Sequence, residues 1–185
     1  MNLAFVVQNV MMKEKGQREM SAIYVSRYSN RELLKDGYYP VGISLGSPKW
    51  PLGYELRGQC YSLAPKGYMF DYEPDRFRKA YFDKLDEIGE GKIIGIVRQM
   101  RRKAEEEGKS LVFLCYEDIR VEGQWCHRTV FADWWENRTG EKIEELPDPS
   151  EPKTKKPKAK EQAEAKAEEA KEEWNQLSIF DFLAS

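Results

Sequence analysis

Short apolar runs bounded by glycine or proline alternate with longer segments of helical periodicity along residues 21–148. Ser21 to Ser26 and Tyr39 to Ser47 are two such runs, and both predict strands. Leu111 to Tyr116 gives the clearest strand prediction, because a continuous apolar run is typical of a strand that a parallel sheet buries on both faces. Lys142 to Leu146 predicts a last short strand.

Three segments between these runs predict helices. Asp75 to Ile88 follows a proline, and Ile93 to Glu107 carries apolar residues at 93, 96, 97 and 100 on one face. The third predicted helix runs from His127 to Asn137 and is ended by Gly140. Strands that alternate with helices predict an α/β fold, here a small Rossmann-like three-layer domain with a mostly parallel sheet.

The distribution of charge divides the chain. Its 185 residues include 30 Lys+Arg and 32 Asp+Glu, a net charge of -2, which argues against a polybasic nucleic-acid clamp or a cationic membrane binder. Residues 149–173 hold seven Lys, seven Glu and no apolar residue except alanine. We therefore expect a solvated linker there, disordered or partly helical. The α/β domain is predicted over residues 21–148, and residues 174–185 form a separate apolar peptide.

Residues 1–20 are predicted to be an N-terminal extension. Lys13 to Met20 (KEKGQREM) would be encoded by purine-rich codons, which resemble a ribosome-binding site before a methionine. One hypothesis is that translation begins at Met20, and the alternative is an ordinary extension. A peptide from residues 1–19 in mass spectrometry of the native protein would exclude the first hypothesis.

The sequence also bears on membrane contact, secretion and disulfide bonding. No run approaches the roughly 18 apolar residues of a membrane span, and Leu3 to Met12 lacks the flanks of a secretory signal. The three cysteines show no spacing typical of a disulfide framework. A single histidine and the lack of a C-x-x-C motif predict no metal site, and no cofactor is predicted. We expect a cytoplasmic protein without membrane contact.

The segment from residue 111 to 130 (LVFLCYEDIRVEGQWCHRTV) carries the candidate chemistry. Glu117 follows a predicted strand end, where open α/β sheets collect ligands. Cys126, His127 and Arg128 begin a predicted helix, whose free N–H groups and dipole attract anions and lower the pKa of a thiol. Cys126 and Glu117 are therefore candidate catalytic residues, as nucleophile and proton carrier. His127 and Arg128 are candidate ligands for a small anion.

A structural interpretation of the same residues stays open. Cys126 is then a small buried residue, and Arg128 pairs with Glu117 or Asp118 as a structural bridge. Cys115, within the predicted strand, is expected to be a core residue. Aromatic and basic residues also interleave over residues 49–72, a pattern that serves either to stack bases or to pack a long loop on the sheet.

The same segment resembles a known family, the domain of unknown function 488. The resemblance rests on Leu114-Cys115-Tyr116-Glu117 before a loop and on Cys126-His127-Arg128-Thr129 at a helix start, and it covers about residues 21–147. It implies a small Rossmann-like fold but no reaction, because the activity of the family is not established.

The resemblance also concerns residues near the first two strands. Ser29 and Asn30 look like the opening of the family, although many members carry histidine where Tyr28 stands here. Many members carry Asp-x-Arg on the second strand, where this chain has Val41 to Ser44. The resemblance therefore implies Ser29, Asn30 and Ser44 as further ligand-binding candidates and indicates a divergent member.

The C-terminal peptide carries a second motif. Gln176, Leu177, Ser178, Ile179 and Phe180 resemble the peptide by which bacterial replication and repair proteins bind the sliding clamp. Leu177, Ile179 and Phe180 would fill an apolar cleft while Gln176 makes directional hydrogen bonds.

Three functions follow from these features. The first is an accessory protein of DNA replication, repair or modification that is tethered to the bacterial sliding clamp and has a small anionic-ligand pocket. The second is an enzyme that acts on a nucleotide or modified base through Cys126 or Glu117. The third is a non-enzymatic clamp-binding regulator or decoy, of bacterial or phage origin. A nucleotide or nucleic acid ligand fits the first two.

Overall fold

The computed structural model describes residues 21–152. Its strands are β1 (Ile23–Arg27), β2 (Tyr38–Gly42), β3 (Ser110–Cys115) and β4 (Glu144–Glu145). Its helices are α1 (Pro74–Ile88), α2 (Glu90–Glu106) and α3 (His127–Thr139), with three short 3-10 turns at Arg31–Leu34, Tyr61–Leu63 and Gly67–Asp71. The four strands form one sheet in the order β2-β3-β1-β4, and all the pairs are parallel.

The central strand β3 decides how the two faces of the sheet are covered. Its side chains alternate, so that Leu111 and Phe113 face the main core while Val112 and Leu114 face the other side. All three helices contribute to the main core, through residues such as Phe77 of α1 and Val97 of α2. Helix α3 supplies Trp134 and Trp135, both fully buried.

A thinner layer covers the opposite face of the sheet. Here Leu33 of the first 3-10 turn packs with Tyr28 and Leu146 against β3. Leu52, Tyr54 and Leu56 from the loop after β2 complete this cluster. Tyr54 also donates a hydrogen bond to the carbonyl of Tyr28, which ties the loop to the end of β1.

The predicted α/β class is confirmed, and the sheet is all-parallel within the described residues. Each predicted strand and helix is present, with ends that differ by a few residues from those that the pattern indicated. The hypotheses on residues 1–20 and on Gln176 to Phe180, and most of the predicted linker, lie outside the described residues. Among residues 21–152, no helix is long and apolar enough to cross a membrane.

Lys84 is a buried cation on α1. Its ammonium donates to the carbonyls of Ser62 and Ala64, and so holds the second 3-10 turn against the helix. Burial lowers the pKa of Lys84 to about 8. The folded protein therefore releases this proton at a lower pH than the unfolded chain does.

The pH dependence of stability tests this assignment. The pKa of Lys84 is lower in the folded protein than in the unfolded chain, so above about pH 8 unfolding must take up a proton. Protons become scarcer as the pH rises toward 10, and the free energy of unfolding therefore increases. Urea unfolding between pH 7 and pH 10 should show that the free energy of unfolding of wild type rises relative to that of Lys84→Met. We expect on the order of 1–2 kcal/mol, discounted for partial access of the amine to water. Lys79→Met, at an exposed position of the same helix, should show a nearly constant difference.

Candidate functional site

The carboxyl ends of the parallel strands meet at one edge of the sheet, and the candidate residues lie there. Glu117 follows β3 by two residues, and Ile43 and Ser44 follow β2 directly. Cys126 is the N-cap of α3, and His127 is its first residue. The loop between β3 and α3 therefore brings the start of this helix back to the end of β3.

Four side chains form a cluster at this edge. Cys115, Glu117, Cys126 and His127 place their donor atoms within 4.8 Å of one another. The Glu117 Oε2 atom lies 2.8 Å from the Cys126 Sγ and 3.1 Å from the Cys115 Sγ. Glu117 therefore accepts from both thiols. Cys115, Cys126 and His127 are buried, while Glu117 is partly exposed.

The orientation of the His127 ring follows from one hydrogen bond. Its Nε2 lies 2.9 Å from the carbonyl oxygen of Ile43, which can only accept, so Nε2 carries a proton. Nδ1 then faces the thiols, 3.3 Å from the Cys115 Sγ and 4.0 Å from the Cys126 Sγ. In the neutral ring, Nδ1 offers its lone pair to this cluster.

The environment separates the acidities of the two thiols. A hydrogen bond with Cys126 and burial raise the pKa of Cys115. Burial opposes ionisation of Cys126, but hydrogen bonding of its thiolate with Cys115 and His127, together with the positive charge of Arg128, outweighs burial and lowers the pKa of this thiol. Burial and the nearby Cys126 raise the pKa of Glu117. The cluster therefore keeps a proton on Cys115 more strongly than on Cys126.

Arg128 is buried and engaged within the protein. Its Nε and Nη2 each donate to a carboxylate oxygen of Glu145 at 3.0 Å, and its Nη1 donates to the carbonyl of Glu117 at 2.7 Å. The carboxylate that pairs with this arginine is therefore that of Glu145 on β4 and not that of Glu117 or Asp118, and Glu117 contributes only its backbone carbonyl. This fork fixes the start of α3 to the end of β3 and to β4.

Ser44 lies in a hydroxyl network with Tyr28. The two hydroxyl oxygens are 2.7 Å apart, and Gln59 Nε2 donates to the Tyr28 Oη at 3.1 Å. Ser44 in turn donates to the carbonyl of Gly46. A Cβ at Gly42 would lie 2.3 Å from the Tyr28 Oη, so only glycine leaves room for this network. Tyr28 therefore has a defined place beside the second strand.

Asn30 and Ser29 are not brought to the cluster. The Asn30 amide donates to the Ser26 Oγ and to the carbonyls of Leu146 and Pro147, while its Oδ1 caps the first 3-10 turn. These bonds give Asn30 an internal role, which connects β1 to the segment after β4. Ser29 is exposed.

An aromatic cleft of about 190 Å³ lies over the cluster. Phe70, Phe77 and Trp125 line it together with Glu117, Cys126 and His127. The ring centroids of Phe77 and Trp125 are 4.7 Å apart in an edge-to-face arrangement. A ring that enters this cleft would meet aromatic side chains and would lie against the polar atoms of the cluster.

Sequence reasoning missed two parts of this site. Cys115 was expected to be core, and it is buried, but its Sγ also belongs to the cluster. Phe70 and Phe77 were not linked to Cys126, because about 50 residues separate them along the chain. The C-x-E spacing after a strand was the available signal for Cys115, since residues 115 and 117 share one side of an extended chain.

Comparison with protein-family models, with curated proteins and with solved structures found no match to this chain.

Arg128→Lys tests the supporting role of the guanidinium. A lysine ammonium cannot serve both Glu145 oxygens and the Glu117 carbonyl, so we expect the free energy of unfolding to fall by about 2–4 kcal/mol. Urea unfolding at pH 7 measures this change. Arg138→Lys is the matched control on α3, because Arg138 makes a surface ion pair with Asp86 and should change stability by less than about 0.5 kcal/mol. Equal stability of the two variants would contradict the assignment.

Proposed function

We propose that this protein is an enzyme that acts on a nucleobase or modified base held in the cleft over Cys126. The observation that carries the proposal is the lining of that cleft, which joins three aromatic side chains to Glu117, Cys126 and His127. Aromatic faces bind any base by stacking, at about 1–3 kcal/mol per base. The polar atoms provide groups that can bond to ring edges or carry protons.

The size of the cleft favours a single ring. Its volume of about 190 Å³ is below the roughly 300–1,000 Å³ of pockets that hold drug-sized ligands. A nucleotide would therefore place its base in the cleft and its sugar and phosphate outside. Arg128 is not the phosphate ligand in this proposal, because Glu145 and the Glu117 carbonyl already occupy it.

Glu117 and Cys126 have distinct roles in the proposal. The Glu117 carboxylate is 2.8 Å from the Cys126 Sγ and also lines the cleft, so it can pass a proton between the cluster and a bound ring. Cys126 is the thiol that faces the cleft, whereas Cys115 is not among the lining residues.

Binding of free bases tests the cleft. Titration of the protein with cytosine, uracil, adenine and guanine, followed by calorimetry, should give saturable binding of at least one base. Trp125→Leu should weaken that binding about 5- to 50-fold, because an aromatic wall is lost. Trp50→Leu is the matched control, since Trp50 is exposed and does not line the cleft.

Two outcomes would count against the cleft as a base site. One is that none of the four bases, nor their nucleosides, binds at millimolar concentration. The other is that Trp125→Leu and Trp50→Leu bind the base equally. Glu117→Gln should keep the binding and remove turnover of any base that wild type converts.

A second proposal concerns the tail and stands on its sequence alone. We propose that Gln176 to Phe180 bind the sliding clamp and so bring the domain to replicating or repaired DNA. The near-neutral charge of the whole chain supports this proposal, because DNA affinity would then come from the clamp. A non-enzymatic regulator or decoy would use the same peptide without needing the cleft.

Fluorescence polarisation with a purified bacterial sliding clamp tests the tail. Gln176→Ala combined with Phe180→Ala should weaken binding at least about 30-fold, the loss typical of a hot-spot residue. Gln162→Ala in the linker is the control and should leave binding unchanged. A chain that ends at Pro152 keeps Asp148 and Ser150, which bond to Arg27, so the truncation retains these contacts of the domain. This shortened chain should not bind the clamp, because it lacks the peptide. Clamp binding that survives the double substitution would end this proposal.

A further inference from the structure

The cluster under the cleft has the composition of a metal site. Two thiols, one imidazole nitrogen and one carboxylate oxygen lie within 4.8 Å of one another, and they come from the end of β3 and the start of α3. Three of the four residues are buried. We infer that Cys115, Cys126, His127 and Glu117 bind one divalent transition metal ion, with Zn²⁺ as the best match.

The spacing of the donor atoms supports this inference. Bonds of about 2.0–2.3 Å to a tetrahedral zinc place its ligand atoms roughly 3.3–3.8 Å apart. The His127 Nδ1 lies 3.3 Å from one sulfur and 4.0 Å from the other. The Glu117 oxygen is closer to both sulfurs, at 2.8 and 3.1 Å, because it accepts hydrogen bonds from the thiols here. Loss of the thiol protons on metal binding would remove these hydrogen bonds and let the carboxylate move by less than 1 Å.

The surroundings of the ligands support it further. Ligating histidines almost always donate their other ring N–H to a carbonyl or carboxylate, and His127 donates to the carbonyl of Ile43. The metal-facing nitrogen is thus fixed by the end of β2. Arg128 bonds to the Glu117 carbonyl and adds positive charge beside two thiolates and a carboxylate. A divalent ion would neutralise two of these three negative charges, while the guanidinium charge is shared between the cluster and the Glu145 carboxylate.

The ligand types favour zinc over other common ions. Thiolate and imidazole donors suit Zn²⁺ and are poor partners for Mg²⁺ or Ca²⁺, which prefer oxygen. The third cysteine, Cys60, lies outside the cluster and is buried in the main core. Because nine positions separate Glu117 from Cys126 and the ligands include no C-x-x-C, sequence spacing predicted no metal site.

The position of the cleft indicates the type of centre. Glu117, Cys126 and His127 line the cleft, so an ion among them faces the place where a ring would bind. Cys115, Cys126 and His127 supply three buried ligands, and Glu117, the one partly exposed ligand, can give up the fourth position to a water or a bound group. This is the arrangement of a catalytic zinc, which activates water or polarises a bound group. Cys126 would then act as a ligand instead of a nucleophile.

Metal binding by the full-length chain tests the inference. Protein purified under reducing conditions is loaded with Zn²⁺ or Co²⁺, and the metal content, the thiolate-to-Co²⁺ charge-transfer absorption and the affinity against a chromophoric chelator are measured. Wild type should bind one ion per chain and show the charge-transfer band. Cys115→Ser, Cys126→Ser and His127→Gln should bind at least about 100-fold more weakly. Cys60→Ser, the matched control, should bind as wild type does.

A measurement on wild type guards against variants that fail to fold. X-ray absorption at the zinc edge of the wild-type protein should show two sulfur ligands at about 2.3 Å and an imidazole nitrogen at about 2.0 Å. Zinc with only nitrogen and oxygen ligands would overturn the inference, as would unchanged affinity in Cys126→Ser. The inference does not need a ligand in the cleft. Metal binding without base binding would reject only the proposed function, and base binding without metal would reject only the metal centre.

Discussion

The central strand β3 must be covered on both faces, and this requirement organises the whole domain. Its apolar side chains point to both sides of the sheet, and burial of both sets away from water is favourable. Three helices bury one side, and a 3-10 turn with a long loop buries the other. The polar cluster consequently lies at the end of the strand, where the chain leaves the apolar layers.

At that end, hydrogen bonds between elements replace apolar packing. His127 reaches the carbonyl of Ile43 after β2, and Arg128 reaches both Glu117 after β3 and Glu145 on β4. Every buried side-chain nitrogen or oxygen of the described residues has a hydrogen-bond partner. Such bonding fixes ring and thiol positions, because a buried polar group without a partner is strongly unfavourable. The cluster is therefore held in place by its supports before any ligand binds.

The proposed cleft, metal ion and tail would make different contributions to one function: ring binding, charge and location. In these proposals the cleft would select a flat ring by shape and stacking, while an ion under it would supply the charge that stacking lacks. The tail would set the place of action, since a tethered domain acts at a raised local concentration. A near-neutral chain with a clamp-binding peptide would need no DNA-binding surface of its own.

Local patterns were enough to predict the elements and the class of fold. Apolar runs and helical spacing reflect contacts with a nearby layer, and the carboxyl-end rule placed Glu117 beside Cys126. The partners of the site were decided by the tertiary structure. Ile43 and His127 are 84 residues apart and Arg128 and Glu145 are 17 apart, so strand order and register had to be known first. The role of Cys115 and the aromatic wall of Phe70 and Phe77 likewise depended on which way side chains face once the loops close, and no short-range pattern encodes that direction.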